Sequence, residues 1–491
     1  MFRFAEIGRQ IAKKDYEARL PELRANLLDL QQELRQANFP VILVLSGDDR
    51  VGIGETLSIL HEWMDPRYLI TSVLEDIEDG ENPEYWAFWR NLPPKGRIGI
   101  IFGSWYRQTI RRGVKNPEQA AALDQAMARI NFFEKELIED GALILKFWLH
   151  LKKSELEKRM ASYANQEHAP WLSLQDERKI LRLYDKGRTV IERVLRGTST
   201  REAPWRLVEG ADPRYRNLSV GEFLRDELAA RLKAAAAPPE PPAPRPQKLR
   251  EKYMILGTLD LAKRLTRPKY ERQLHEYQTR LNVLLRKAME RRQASVLLFE
   301  GWDAAGKGGI IRRIAAAMDA RQYRVIPIAA PTEEEKKYHY LWRFWKHLPR
   351  GGRVTIFDRS WYGRVLVERV EGFARRDEWD RAYRELNDFE EQLTEHGILL
   401  LKFWLHIDKD EQHRRFRERE KTPYKQYKIT DEDWRNRKKW DEYEAAVNEM
   451  VERTSTEIAP WTLVEANDKY YARVKVLRKF CDELAEKLKV K

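Results

Sequence analysis

Residues 295–318 read SVLLFEGWDAAGKGGIIRRIAAAM. A short β-branched and leucine-rich run, SVLLFE, ends at a glycine, and a helical pattern follows the glycine-rich turn. Gly301, Gly306 and Lys307 have the spacing of a Walker A loop. Glycines there, with Gly308 and Gly309 after the lysine, let backbone N–H groups turn towards a phosphate. The helix N-terminus adds partial positive charge, and the lysine reaches a terminal phosphoryl group. The usual Ser/Thr after the lysine, a magnesium ligand, is replaced by Gly308. Asp303, inside the loop, can supply the oxygen instead. The alternative is a glycine-rich turn with an incidental lysine.

Downstream, IFDRSWY (356–362) places Asp358 at the end of an apolar run, where a strand-end carboxylate serves as a Walker B metal ligand. Arg359 beside it has the planar fork that braces a phosphate, unless the two form an exposed ion pair. Trp361 and Tyr362 read as core. Further on, Arg415 and Arg419 share one helical face by their i, i+4 spacing. Pro423, Lys425 and Lys428 read as a loop presenting ammonium groups. Together they suggest a lid that closes cations over transferring phosphates, although a solvated charged helix fits the same residues.

The chain repeats itself. LKFWLH at 145–150 recurs at 401–406, SWY at 104–106 recurs at 360–362, and STREAPWRLVE (199–209) matches STEIAPWTLVE (455–465) at eight of eleven positions. All three pairs are offset by 256 residues. Upstream the offset is 254, so a two-residue indel lies between about residues 57 and 85. Such a period means a duplicated domain. Six prolines between 238 and 246 mark the boundary, giving domains at 1–233 and 248–491 and an Ala/Pro-rich linker at 234–247. Each half begins with a helical segment (17–37 and 271–292), then a short strand. RVTIFD (353–358), ILLLKFWLHI (398–407) and TLVEA (462–466) are further strands of the second half. The predicted fold is α/β: two tandem domains, each a parallel sheet flanked by helices.

Composition narrows the partners. The chain has 491 residues and a net charge of +13. Residues 1–237 hold 37 basic and 36 acidic residues, so nearly all the excess lies in the second half, where a polyanion should bind. With one cysteine, Cys481, there is no internal disulfide framework and no multi-cysteine metal cage. Apolar runs stop far short of a membrane span, and the N-terminus has no apolar segment of signal-peptide length, so a soluble cytoplasmic protein is expected.

Gly-x-Asp-x-x-Gly-Lys-Gly, FDRSWY, LVERV (366–370), LKFWLHI, EQ-x2-RF, the P-x-K-x-Y-K segment and APW-x-LVE together resemble the polyphosphate kinase 2 family. The resemblance covers nearly all of the second half, and diverged copies of its landmarks run through the first. It implies a P-loop kinase-like fold with a helical lid, and Mg²⁺-dependent transfer (Mn²⁺ being the alternative metal) between inorganic polyphosphate and a nucleotide. Asp303, Lys307, Asp358, Arg359 and Arg415 match the family's functional positions, and Gly308 is then its own form of the loop. The duplicated architecture resembles members that act on AMP to give ADP, while single-domain members more often act on nucleoside diphosphates. A homo-oligomer is compatible with this reading; a membrane or nucleic-acid partner is not expected.

Two other functions compete for the same residues. An ATP-dependent P-loop kinase would use the same loop but needs less basic surface. A nucleic-acid-binding module leaves Asp303, Lys307 and Asp358 unexplained, and no recognised motif of that class occurs. Arg364, Arg369, Lys336, Lys337, Arg343 and Lys346 are candidates for guiding a polyphosphate chain. In the first half Ile53 stands where Lys307 should be, Phe102 and Gly103 replace Asp358 and Arg359, and Tyr163 replaces Arg419, while Asp49 and Arg159 keep the places of Asp303 and Arg415. That half is expected to be catalytically dead. His150 and His406 end matching strands in both halves and read as structural. Cys481 reads as inert, and Glu390-Glu391 is assigned no chemistry.

Overall fold

The central apolar runs of each copy are buried on both faces, and this forces them into parallel strands with helices as cover. The computed structural model describes residues 1–48, 50–74, 80, 82–163, 174–235, 254–422 and 431–490. The first sheet holds β1 (Val41–Gly47), β2 (Leu69–Val73), β3 (Ile98–Phe102), β4 (Leu143–His150) and β5 (Trp205–Glu209) in the order β2-β3-β1-β4-β5. The second holds β6 (Ser295–Gly301), β7 (Tyr323–Pro327), β8 (Val354–Asp358), β9 (Leu399–His406) and β10 (Trp461–Glu465) in the equivalent order β7-β8-β6-β9-β10. All pairings are parallel.

Register bears out the two offsets. Leu45 pairs with Phe102 and Gly47 with Leu149, as Phe299 pairs with Asp358 and Gly301 with Leu405. The opening helices start about four residues earlier than periodicity suggested, at Lys13–Leu34 and Arg267–Glu290. The edge strands β2 and β7 were not read from sequence, because three of the five residues in each are exposed and no apolar run marks them. The helix Pro213–Ala235 runs two residues into the span read as linker, since its alanines continue a helix readily. Residues 236–247 lie outside the described residues.

The described residues group into two compact units, Met1–Glu78 with Ala87–Ala243 and Glu333–His339, and Asp79–Trp86 with Pro244–Thr332 and Tyr340–Lys491. Among the described residues no helix is long and apolar enough to cross a membrane.

Each sheet is pinned by a buried lysine on the strand beside its central one. Lys402 Nζ donates to Glu390 Oε2 (2.6 Å), the Tyr362 hydroxyl (2.9 Å) and the Thr454 carbonyl (2.6 Å). Glu390 Oε1 accepts from Trp361 Nε1 (3.0 Å) and the Tyr362 hydroxyl (2.7 Å). Lys146, Glu134, Tyr106, Thr198 and Trp105 build the same network in the first unit. A buried ammonium is tolerable only when its donors are met in this way. Trp361 and Tyr362, fully buried, are thus core, as read. Glu390 does have a part, a structural one. Replacing Glu390 with Ala strands the charge of Lys402, so urea unfolding should show a loss of about 3–5 kcal/mol in the second unit, and Glu134→Ala the same loss in the first.

Candidate active site

The loop between β6 and the helix Lys307–Ala315 is shaped by close approach. A Cβ on Gly301, whose φ is +147°, would lie 2.5 Å from the Leu405 carbonyl oxygen, so only glycine fits the turn out of the strand. Gly306, at φ +114°, caps the helix, and Ala304 takes the left-handed value of +64°. Trp302 anchors the loop from beneath: its ring stacks on Trp440 at 3.7 Å and its Nε1 donates to His406 Nδ1 (3.1 Å). Burial pulls the His406 pKa down to about 4, which keeps that nitrogen an acceptor. His406 is a strut, as its presence in both copies suggested.

Asp303, Gly306, Lys307, Gly308, Gly309, Asp358, Arg359, Arg415 and Arg419 line one cavity of about 570 Å³. Of the other residues singled out from sequence, Gly301 is the turn at its edge, while Lys425 and Lys428 lie outside the described residues. Lys307 Nζ donates to the Gly301 (2.6 Å) and Trp302 (3.4 Å) carbonyls. Arg359, itself left-handed at φ +64°, donates to Asp303 Oδ1 at 3.2 Å. Burial works against that guanidinium's charge, yet Asp303, Glu300 and other nearby carboxylates hold its pKa above the usual value. The other oxygen of Asp303 accepts from Asn436 Nδ2 (3.0 Å), and its backbone carbonyl accepts from Gln412 (3.3 Å).

Arg415, which lines the cavity, is held by groups of the protein. Its Nη1 donates to the Ala304 (2.9 Å) and Ala305 (2.8 Å) carbonyls, its Nη2 to Ala466 (2.7 Å) and Asn467 (2.9 Å), and its Nε to Glu411. All five donors are therefore committed within the protein. In this arrangement Arg415 buckles the loop to the end of β10.

Glu300 escaped the sequence reading. It is buried below Arg359, accepts from Ser360 Oγ at 2.8 Å, and burial pushes its pKa up. Its counterpart in the first copy is Ser46, and there the Oγ of Ser104, equivalent to Ser360, is buried with no hydrogen-bond partner among the described residues. Comparing the copies position by position would have exposed it. The six chain-guiding candidates do not line the cavity. Arg364, Arg369 and Lys336 pair with Glu368, Glu449 and Glu333, and Lys346 sits over the Trp342 ring.

Among the described residues of the first unit, packing occupies the positions equivalent to the cavity lining. Its helix starts at Arg50, three residues earlier than the Lys307 helix on alignment, so the stretch equivalent to Ala304–Gly306 is helical. Ile53 is buried in the hydrophobic core. Arg216 and Glu55, whose counterparts are the cavity-lining Ala472 and Gly309, form an ion pair of 2.6 Å with the guanidinium fully buried. Asp49 lies outside the described residues.

A five-stranded parallel sheet, a glycine-rich loop with its lysine at a helix start, and a strand-end Asp-Arg pair define a P-loop phosphotransferase of the kinase type. The chain belongs to the polyphosphate kinase 2 family, whose model matches it twice, over residues 10–236 and 264–491. It is 52% identical to a polyphosphate:AMP phosphotransferase of Pseudomonas aeruginosa, over 99% of this chain and 98% of that one. It is 36% identical to one from Acinetobacter johnsonii, over 94% and 96%. A crystal structure described as a polyphosphate kinase 2 from Pseudomonas aeruginosa superposes with a TM-score of 0.89 at 50% identity, over the full length of both chains.

Arg415→Lys separates the buckle from a simple charge, since lysine keeps the charge but cannot satisfy four carbonyls in a plane. Thermal unfolding should show the second unit weakened by about 1–3 kcal/mol; unchanged stability would mean that the guanidinium does not hold the loop.

Proposed function

We propose that this chain transfers the terminal phosphoryl group of inorganic polyphosphate to AMP, giving ADP and a chain one unit shorter. The observation that carries this reading is the second unit's cavity, where Asp303, Lys307, Asp358 and Arg359 converge. The full-length relatives named polyphosphate:AMP phosphotransferase support the choice of substrates. In the reaction, an oxygen of the AMP phosphate forms a bond to the terminal phosphorus as the P–O bond to the next unit breaks. The leaving oxygen keeps the electron pair, so the shortened chain departs as an anion and the step is reversible. AMP phosphate is ionised at neutral pH, so the step calls for alignment and charge neutralisation.

Lys307 and the N–H groups around Gly306–Gly309 hold phosphate oxygens, and Arg359 neutralises charge on the group in flight. Asp303 and Asp358 suit a hard divalent cation, Mg²⁺ or Mn²⁺. Among the described residues no cluster of three or more metal-ligating side chains exists, and two carboxylates with substrate oxygens and water are the donor set that magnesium favours. A cation held by Asp303 and Asp358 would supply charge neutralisation for the phosphates. Among the described residues the Asp358 carboxylate makes no hydrogen bond or ion pair and is available for this, whereas Asp303 must exchange Arg359 or Asn436 for it. The domains at 1–233 and 248–491 divide the work: the second transfers, the first does not.

Purified protein with polyphosphate and Mg²⁺ should convert AMP to ADP without added ATP, and chelation should stop it; turnover unaffected by chelation would remove the metal role of Asp303 and Asp358. Running ADP, GMP and GDP alongside tests the acceptor. In the same assay Lys307→Ala should lower turnover by about 10²–10³ in a folded protein. Ile53 is core, so the matched change in the first unit is Ile53→Val, expected to leave turnover unaltered; a comparable loss there would put the first unit in the chemistry.

A further inference from the structure

A carboxylate buried without a counter-ion in contact is costly, and the second unit keeps one beneath its phosphate loop. Glu300 is the only charged residue of the run SVLLFE and directly precedes Gly301. It is 6% exposed and does not line the cavity. Among the described residues it forms no ion pair, and its Oε1 accepts from Ser360 Oγ at 2.8 Å. Ser360 Oγ in turn accepts from the backbone N–H of Tyr362 (3.3 Å), so the hydroxyl that holds the carboxylate is itself fixed. Burial raises the Glu300 pKa, against the pull of Lys307, Ser360 and Arg359. The effect is mutual: with Asp303, Glu300 offsets the burial that works against the charge of Arg359.

The first copy shows that the fold does not need this carboxylate. Ser46 stands in the place of Glu300, Ile53 in that of Lys307 and Gly103 in that of Arg359. The turn out of the neighbouring strand is nevertheless kept: Gly103 takes φ +76° where Arg359 takes +64°. The register is kept as well, Leu45 pairing with Phe102 as Phe299 pairs with Asp358. Ser104 simply leaves its buried hydroxyl without a partner among the described residues. Glu134 and Glu390 follow the opposite rule, for each meets a buried lysine and both copies keep it. Glu300 therefore goes with the two phosphate-handling cations and not with the sheet. A fixed negative charge below two like charges relieves their repulsion. It also limits how tightly they hold phosphate before transfer, and only stabilisation that is greater in the transition state speeds the step.

We infer that Glu300 is a positioning residue for phosphoryl transfer, whose buried carboxylate, fixed by Ser360, keeps Lys307 and Arg359 facing the cavity and tempers their grip on bound phosphate. This rests on the function proposed above. Glu300 touches no substrate and acts through the two cations.

The test compares the full-length protein with Glu300→Gln, which keeps the shape and the acceptor for Ser360 but removes the charge. Glu300→Ser, the first copy's own residue at this place, runs beside it, and circular dichroism and gel filtration check the fold of both. Calorimetric binding of tripolyphosphate, which needs no turnover, should tighten about threefold or more in each variant. With saturating AMP, kcat should fall about tenfold or more, and the KM for polyphosphate should fall with it. The urea midpoint should not drop, since the first copy folds with serine here. Glu300→Asp keeps the charge and should return tripolyphosphate affinity towards that of the unaltered protein. Unaltered binding and turnover in Glu300→Gln would overturn the inference, as would weaker tripolyphosphate binding, or lost stability with kcat unchanged. Failure of both variants to fold would overturn it too, because the carboxylate would then serve the fold. If the unaltered protein made no ADP while Glu300→Gln bound tripolyphosphate more tightly, the proposed reaction would fail and the hold of Glu300 on the two cations would stand.

Discussion

A buried ammonium group holds each unit together. Lys402 lies within a strand whose every residue is buried, and its charge is met by a carboxylate, a phenol and a carbonyl. The network fixes more than the sheet. Glu390 and Lys402 bind Trp361 and Tyr362, which follow Arg359, so the buried lysine sets where the strand-end Asp-Arg pair emerges. Removing either charge would leave the other unpaired in a medium that cannot solvate it. This accounts for a network kept residue for residue in both copies: it serves the fold, and both copies need the fold.

The cavity follows a different rule. Around Lys307, Asp358 and Arg359 the backbone is held in costly conformations: a left-handed arginine and a left-handed alanine. Such features persist where a ligand repays them, and in the first unit each has relaxed. The loop has wound into helix, the lysine has become a core isoleucine, and an internal arginine–glutamate pair stands where small residues lined the cavity. Function on a duplicated fold is legible here as the difference between what the copies share and what only one retains.

Much of this was readable in the sequence. The duplication, its two offsets, the Walker A spacing and the central strands all come from strong local signals: fixed spacings, apolar runs and glycines with a steric reason. Two kinds of feature were not. The edge strands β2 and β7 are half exposed, so they lack a hydrophobic signature. Roles set by tertiary approach were also hidden. Nothing in EQHRRF says that Arg415 meets four carbonyls from two distant loops as well as Glu411, and nothing near Lys469 or Arg473 marks a cavity more than 150 residues upstream. Glu300 looked like the end of a strand until Ser360 was seen above it.

The central claim is that phosphate is handled in the second unit alone. A crystal structure of the full chain soaked with a non-hydrolysable imido-linked polyphosphate, AMP and Mg²⁺ tests it most directly. The account predicts phosphates beside Lys307, with none at the helix that starts at Arg50. Phosphate density at that first helix, or its absence beside Lys307, would contradict it.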